Sequence, residues 1–491
     1  MKKHLIIIGA GVAGLTAGIY ARRSGFDVTI IEQHSISGGM CTSWRRKGYL
    51  FDGAMHWLTG SSPKTEMHQV WRDIGAIGDE VPMFHHEPFR SVEWDGQTIN
   101  LYRDIDKTAE HLSSVSPEDA LQIRQLVKDV KALSNLQVPV FDIKGVKAKN
   151  PKSMSLGFLF KLLPAMPTMK RLDKITCHEY AMRFSHSGIQ RLLHVVPGNL
   201  RATSSIVTLA TLNAGDGGYP EGGALAMASR MEKRFTGLGG NLRLNTKVKK
   251  INIESGIARG VSLSDDTVLN ADAVIITQET IAALKHLFDT PPQDTWLKEL
   301  SANAKTQTCT FISIGVRAKL PKTFLPEWKL NTPITYAGEA VETLSFNSYA
   351  EYADYAPEGG TALTAAFLHD TYDFWKQAKA EGRYQEEKKA LAEQISRALC
   401  EKYPQAAGKI EVIDVATPLT YERYTGAYHG AWMTEVGPKD KMVRYQGTVE
   451  GVHGLYFAGH RLMAPGGLPA AAVSGRQAAQ LVCKQFDHEF C

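Results

Sequence analysis

Residues 5–33, LIIIGAGVAGLTAGIYARRSGFDVTIIEQ, decide the fold. Leu5 to Ile8 form a short apolar run, the pattern of a strand buried on both faces. Gly9, Gly11 and Gly14 follow at once in the spacing G-x-G-x-x-G. Leu15 to Arg23 reads as a helix ended by Gly25, and Val28 to Ile31 as a second strand that finishes on Glu32. Gly9 permits a tight turn, Gly11 lets backbone approach a pyrophosphate, and Gly14 allows helix and strand to pack closely. The helix N-terminus presents unpaired N–H groups and a positive dipole end to the phosphates. Glu32 stands where a carboxylate accepts hydrogen bonds from the ribose hydroxyls of an adenosine half. The unit predicts adenine-dinucleotide binding without separating FAD from NAD.

Three further segments bear on that choice. Gly38-Gly39, followed by Ser43 and then Phe51-Asp52-Gly53, lets the chain pass close to a second part of the same dinucleotide. From Gly222 the pattern gives a helix through Leu225, Met231 and Phe235, ended by Gly239-Gly240. A strand from Leu242 to Val248 and a buried strand from Ala271 to Thr277 are predicted after it. Near the C-terminus, Gly454 to His460 reads as a strand and turn. Pro465-Gly466-Gly467-Leu468-Pro469 then opens an Ala-rich helix running through Val482. That helix N-terminus can aim N–H groups at the N1–C2=O edge of a flavin, where negative charge grows on reduction.

Together these segments resemble the flavoprotein superfamily of amine oxidases and phytoene desaturases. GGMCTSWRRKGYLFDGAMHWL (38–58) and GLYFAGHRLMAPGGLPAAAVSGRQAA (454–479) most resemble the phytoene desaturase, carotenoid isomerase and retinol saturase branch. The resemblance implies FAD as cofactor. It implies an α/β fold, with a Rossmann-like FAD-binding domain of parallel sheet and helices (1–75, 221–285 and 448–491). An interleaved α+β substrate domain with a mixed sheet takes 76–220 and 286–447. The implied cofactor contacts are Gly9, Ala10, Gly11, Val12, Ala13, Gly14, Glu32, Gln33, Gly38, Gly39, Met40, Val248, Gly459, His460, Gly467, Leu468, Pro469 and Ala470. Met40 stands where many relatives carry Arg, and His460 where many carry an acid, so side-chain contacts at those two positions differ from the family pattern.

The remaining chain narrows the chemistry mainly by what it lacks. A second strand-G-x-G-x-x-G-helix unit is missing, and none of the six cysteines forms a C-x-x-C pair, which argues against a pyridine-nucleotide disulfide reductase. No motif has metal-ligand spacing; the pair His85-His86 reads as ordinary loop, and no metal is expected. A net charge of +5, with 56 basic against 51 acidic residues and no dense basic run, gives no reason to expect nucleic acid. The apolar run after Lys2-Lys3 is too short for a signal peptide, and no stretch reaches the roughly 20 apolar residues of a membrane span. A cytoplasmic protein, or one peripheral on the inner face of a membrane, is expected.

Lysines 144, 147, 149, 152, 161 and 170 and Arg171 surround the apolar run Leu156, Phe158, Leu159, Phe160, Leu162, Leu163, Met166 and Met169. This segment, 144–171, is read either as a helical lid or as a basic-apolar surface that touches anionic membrane. The expected substrate is a hydrophobic isoprenoid, carotenoid, retinoid or lipid-like molecule. Desaturation or saturation by hydride transfer at flavin N5 is the preferred reading. Redox-neutral cis–trans isomerisation of a polyene, amine oxidation and a non-enzymatic redox-controlled flavoprotein are the alternatives. Electrons would pass to or from the substrate, a quinone or other acceptor, or a transient NAD(P)H. His56, after Asp52-Gly53, is the leading acid/base candidate, because an unperturbed pKa of about 6.5 suits proton transfer near neutrality. Tyr421, Tyr424 and Glu435 are expected near the flavin face.

Overall fold

The strand β1 (His4–Ile8) is buried along Leu5–Ile8 because other strands flank it on both sides and helices cover it. β2 (Asp27–Ile31) and the strand Ala273–Ile276 pair with it in parallel. A computed structural model describes residues 2–152, 156–303, 305–321, 325–463 and 466–491, with the side chains of 156–161 and 325 excepted. Among these residues β1 lies inside a nine-stranded sheet. Its parallel centre runs Val452–Phe457, Ala273–Ile276, β1, β2 and Asn241–Arg243. The helix α1 (Val12–Arg23), rich in small residues, packs on this sheet with almost every position buried.

The predicted strand Leu242–Val248 is two strands with different places. Asn241–Arg243 ends the sheet beside β2, whereas Val248–Glu254 begins an antiparallel meander at the opposite edge. The intervening residues leave the ladder to cross the end of β2. There the backbone N–H groups of Asn245 and Thr246 donate to the carbonyls of His34 and Glu32, and Asn245 takes a φ of 52°.

The chain's two ends close this unit. The helix Gly467–Phe486 lies against α1. A Cβ on Gly475 would stand 2.4 Å from the carbonyl oxygen of Ala13, so glycine sets that helix separation. Beyond it Phe490 stacks on Tyr20, with ring centroids 5.2 Å apart.

A second sheet has seven strands among the described residues, in the order Ile410–Ala416, Thr310–Val316, Thr361–Phe367, Glu339–Ser348, Leu325–Tyr336, Arg90–Trp94 and Gln97–Leu101. It is antiparallel except where Leu325–Tyr336 meets Arg90–Trp94 in parallel, which makes it the expected mixed sheet. Tyr384–Lys402 covers one face through Leu391, Ile395 and Leu399. Helices between residues 105 and 213 pack around a separate apolar core that includes Leu112, Leu126, Ile189 and Leu209.

In the segment 144–171, the side chains of Leu156, Phe158, Leu159, Phe160 and Lys161 lie outside the described residues, as does Pro465 of the C-terminal motif. What is described divides in two. Lys147 pairs with Asp487, and Ala148 bridges to Phe490, so the first part docks onto the C-terminus. Leu156–Leu172 is helical; Ala165 and Leu172 are buried while Leu163 and Met166 are exposed.

Candidate functional site

One cavity of about 3670 Å³ runs between the two sheets. That exceeds the ~300–1,000 Å³ of an ordinary small-molecule site, and is room for a dinucleotide and a large second ligand together. Along one half lie Gly9, Gly11, Val12, Ala13, Glu32, Gln33, Gly38, Gly39, Met40, Val248, Gly459, His460, Gly467, Leu468, Pro469 and Ala470. The structure thus collects these expected contacts from three distant parts of the chain. Ala10 and Gly14 are exceptions and do not line the cavity. Ala10 donates its N–H to Glu32 Oε2 at 2.8 Å. Gly14 is packed against the preceding turn, where a Cβ would stand 2.0 Å from the carbonyl oxygen of Gly9.

The glycines of this half separate into two kinds. Gly9, with a φ of 102°, and Gly14 are required by the protein's own packing. Among the described residues, a Cβ on Gly11 would meet nothing nearer than the Gly38 carbonyl oxygen at 3.8 Å, and one on Gly459 nothing nearer than Leu462 at 3.9 Å. Protein packing does not demand glycine at these two; a ligand in the cavity would.

Two helices begin at this cavity, α1 after Gly11 and Gly467–Phe486 after Gly466. Neither has a side-chain cap or an acid in its first turn, so their first N–H groups are left for an anion or a carbonyl. Elsewhere Thr65, Asp104 and Thr176 cap helices, whereas Ala202–Asn213 and Gly223–Gly237 are also uncapped. Glu32 is held by backbone: Oε2 accepts from Ala10, and Oε1 accepts from His34 at 2.8 Å. Each oxygen keeps a lone pair for a ribose hydroxyl. A buried ion pair, Arg461 to Glu279 at 3.0 Å, ties the chain after Phe457 to the helix Thr280–His286 that Glu279 caps.

The other half is a chamber between helices and the second sheet. Thr364, Ala366, Phe367 and Leu368 supply part of its wall, and Leu162 and Met169 of the helix Leu156–Leu172 face it. His56 joins the two halves. Its Nδ1 accepts from the Asn347 amide at 2.8 Å, which leaves the proton of the neutral ring on Nε2. Burial pushes its pKa down to about 4, below the value near 6.5 on which its choice as acid/base candidate rests. The turn that carries it is pinned by buried Asp52, which accepts from Tyr219 Oη at 2.6 Å and from the N–H groups of Ala54, Met55 and Ala224.

His460 lines the cavity with its Nε2 3.2 Å from the Trp432 carbonyl oxygen, and burial also drives it to about 4. Tyr421 lines the chamber beside Cys309 and is partly buried, and desolvation keeps its hydroxyl protonated. Glu435 also lines the cavity, and burial raises its pKa. Tyr424 is placed differently from expectation: it stands edge-on to His34 at 5.4 Å, beyond Glu32 at the adenosine end. The left-handed turn at Gly426 brings the segment there, next to Gln33 and Gln278. Residues unmarked by sequence reasoning include Asn347, His369 and Trp44. Trp44 lies over Gly53, where a Cβ would meet its ring at 2.3 Å, and its Nε1 has no partner among the described residues. Only the conjunction of Trp44 with a glycine nine residues on hinted at this.

The profile of the family described as "Flavin containing amine oxidoreductase" matches residues 12–483. The chain belongs to that family. Its cofactor is the flavin FAD, which the dinucleotide half of the cavity fits. The oxidoreductase is 27% identical over 300 residues to "Phytoene desaturase (neurosporene-forming)" of Cereibacter sphaeroides, covering 59% of this chain and 56% of that one. It is 25% identical over 297 residues to "All-trans-zeta-carotene desaturase" of Myxococcus xanthus, covering 58% and 54%. It thus spans little more than half the length of these curated relatives. Among solved structures, an oxidoreductase from Methanosarcina mazei superposes with a TM-score of 0.60 at 17% identity, over 96% of this chain and 98% of that one. Putrescine oxidase superposes with a TM-score of 0.61 at 15% identity, over 99% of both. Both show that the flavoprotein shares this fold. No helix among its described residues is long and apolar enough to cross a membrane.

Proposed function

We propose that this flavoprotein forms or reduces carbon–carbon double bonds in a lipophilic substrate. The observation that carries the reading is the chamber, continuous with the cofactor half and walled by Phe367, Leu368, Leu162 and Met169. The relatives named as phytoene and zeta-carotene desaturases agree with it. Bound FAD supplies a centre, N5, that accepts or gives a hydride. The chain supplies the rest. Gly9, Gly11 and Glu32 would hold the adenosine and pyrophosphate, and the N-terminus of Gly467–Phe486 would stabilise charge on the flavin edge. The chamber wall excludes water and fixes the reacting carbons. His56, neutral and oriented by Asn347, offers an Nε2–H at the junction of the halves. It serves better as a hydrogen-bond donor that positions the substrate than as a general acid, since a group with a pKa of about 4 carries little charge at neutral pH.

Electrons pass to or from a diffusible partner, a quinone or NAD(P)H entering the same cavity. The exposed Leu163 and Met166, near Lys170, suit the helix Leu156–Leu172 to a membrane surface from which a lipid substrate enters. Incubation with carotenoid, retinoid and unsaturated-lipid mixtures, with and without reductant, tests the reading by mass. A change of two hydrogens supports it. A rearranged polyene of unchanged mass replaces it with isomerisation, and turnover of amines alone rejects it. Flotation with anionic liposomes that is unchanged by Lys170→Gln together with Leu163→Ser would reject the membrane contact.

A further inference from the structure

The chamber is not apolar throughout. Glu327 is almost fully buried on Leu325–Tyr336 and accepts from two guanidiniums. Arg90 donates to one carboxylate oxygen, and Arg191 Nε to the other, which also accepts from Thr343 Oγ1 at 2.6 Å. Two positive charges therefore meet one negative charge. Beside them His194 stacks on His178, with centroids 5.5 Å apart and planes within 7°. Both ring nitrogens of His194 are buried without a hydrogen-bond partner among the described residues. All of these residues line the cavity.

The roles within the cluster differ. Both terminal nitrogens of Arg90 are engaged, because it also donates to the His194 carbonyl. Arg191 uses Nε on Glu327, and among the described residues nothing hydrogen-bonds its two terminal nitrogens. Burial, then the neighbouring Arg191 and Arg90, lower His194 to about 4, so the ring is neutral and one nitrogen is a free N–H donor. Glu327 is the one acid that acts on Arg90 or His194 among the described residues. Thr343 and Asn347 lie four residues apart on one face of the strand Glu339–Ser348. The cluster is therefore roughly 13 Å along the chamber from the His56 junction at ~3.3 Å per strand residue.

We propose that this cluster is a head-group site, and that the substrate is an amphiphile whose lipophilic chain ends in a carboxylate held by Arg191 and His194. The inference rests on the reading of the chamber as a site for carbon–carbon chemistry on a lipophilic molecule. A carboxylate matches the open edge of the Arg191 guanidinium in a paired hydrogen bond, and can accept from the His194 ring as well. It also neutralises the surplus charge. A pure hydrocarbon would cover the open edge of Arg191 without offering it an acceptor, a cost that discriminates against it.

The holoenzyme, followed by its flavin absorption, tests this by titration with all-trans-retinoic acid, methyl retinoate and β-carotene. The acid is expected to bind at least about ten-fold more tightly than its ester, as loss of a charged hydrogen-bond partner implies. Arg191→Gln keeps the neutral Arg90–Glu327 pair; it should retain flavin and ester affinity and lose the preference for the acid. Equal binding of acid and ester by the unaltered protein overturns the head-group site, and needs no variant. A preference that survives Arg191→Gln overturns the assignment to Arg191. If the ester or β-carotene perturbs the flavin while the acid gains nothing, the lipophilic reading stands and only this inference falls. If none of the three perturbs it, both fall.

Discussion

The Asn347 amide nitrogen lies 2.8 Å from His56 Nδ1, and through that bond the second sheet sets the tautomer of a ring at the edge of the cofactor half. Asn347→Leu removes the donor and leaves the ring free to turn. Substrate-driven flavin reduction or reoxidation should slow by roughly ten-fold or more, since small misplacements near the reacting atoms are costly. Bound flavin per chain should not change. His56→Gln, which keeps a donor, should retain more rate than His56→Leu; equal rates in the two would reject a hydrogen-bonding role. Stopped-flow absorbance of the flavin measures all three.

Gly11 and Gly14 should fail in different ways. Gly11→Val places its side chain in open cavity, so the apoprotein should melt as the unaltered apoprotein does while flavin content collapses. Gly14→Ala puts a methyl group 2.0 Å from the Gly9 carbonyl oxygen. It should destabilise the apoprotein itself by about 1–3 kcal/mol, as overpacking does. The ratio of visible to ultraviolet absorption and the melting of apoprotein separate the two.

Glu279→Gln leaves Arg461 buried without its counter-charge. The side chains are 6% and 7% exposed, so the loss should be about 3–5 kcal/mol of unfolding free energy. Adding Arg461→Met should recover much of it. Chemical denaturation of the apoprotein checks both, and a single variant as stable as the parent would show the pair to be idle.

Acid should weaken the fold through its enclosed histidines. Burial holds His56, His86, His194 and His460 at about 4, below the value near 6.5 of an unfolded chain. Between those values the unfolded chain binds more protons than the folded one. Their stabilising share is thus complete above about pH 6.5 and is lost as pH falls toward 4. His460→Gln removes one such group, so its unfolding free energy should fall less than the parent's between pH 7 and pH 5. Parallel declines would contradict the buried, neutral assignment.

The nucleotide half was legible because its parts are local. The run Leu5–Ile8, the spaced glycines and Glu32 each act within a turn or two of their own position, so strand, turn and helix follow from periodicity and glycine's conformational range. The C-terminal helix start was legible for the same reason. The strand read across Leu242–Val248 failed because it is interrupted by bonds to His34 and Glu32, which are far away in the chain. Tyr424 was misplaced because the turn at Gly426 carries it over the end of β2, and nothing in 417–435 alone reveals that direction.

The sequence by itself determined a dinucleotide fold, its flavin-family character and the glycines that make it, since those depend on short-range geometry. Tertiary structure alone decided which glycines face ligand and which face protein, because Gly11 and Gly14 differ only in what approaches their missing side chains. It alone made His56 neutral, since burial comes from residues hundreds of positions away. It alone brought Arg90 and Glu327, on two strands far apart in the chain, to the helix end that carries Arg191 and His194. Charge imbalance inside a cavity is a property of the packed molecule, and no local reading of the chain contains it.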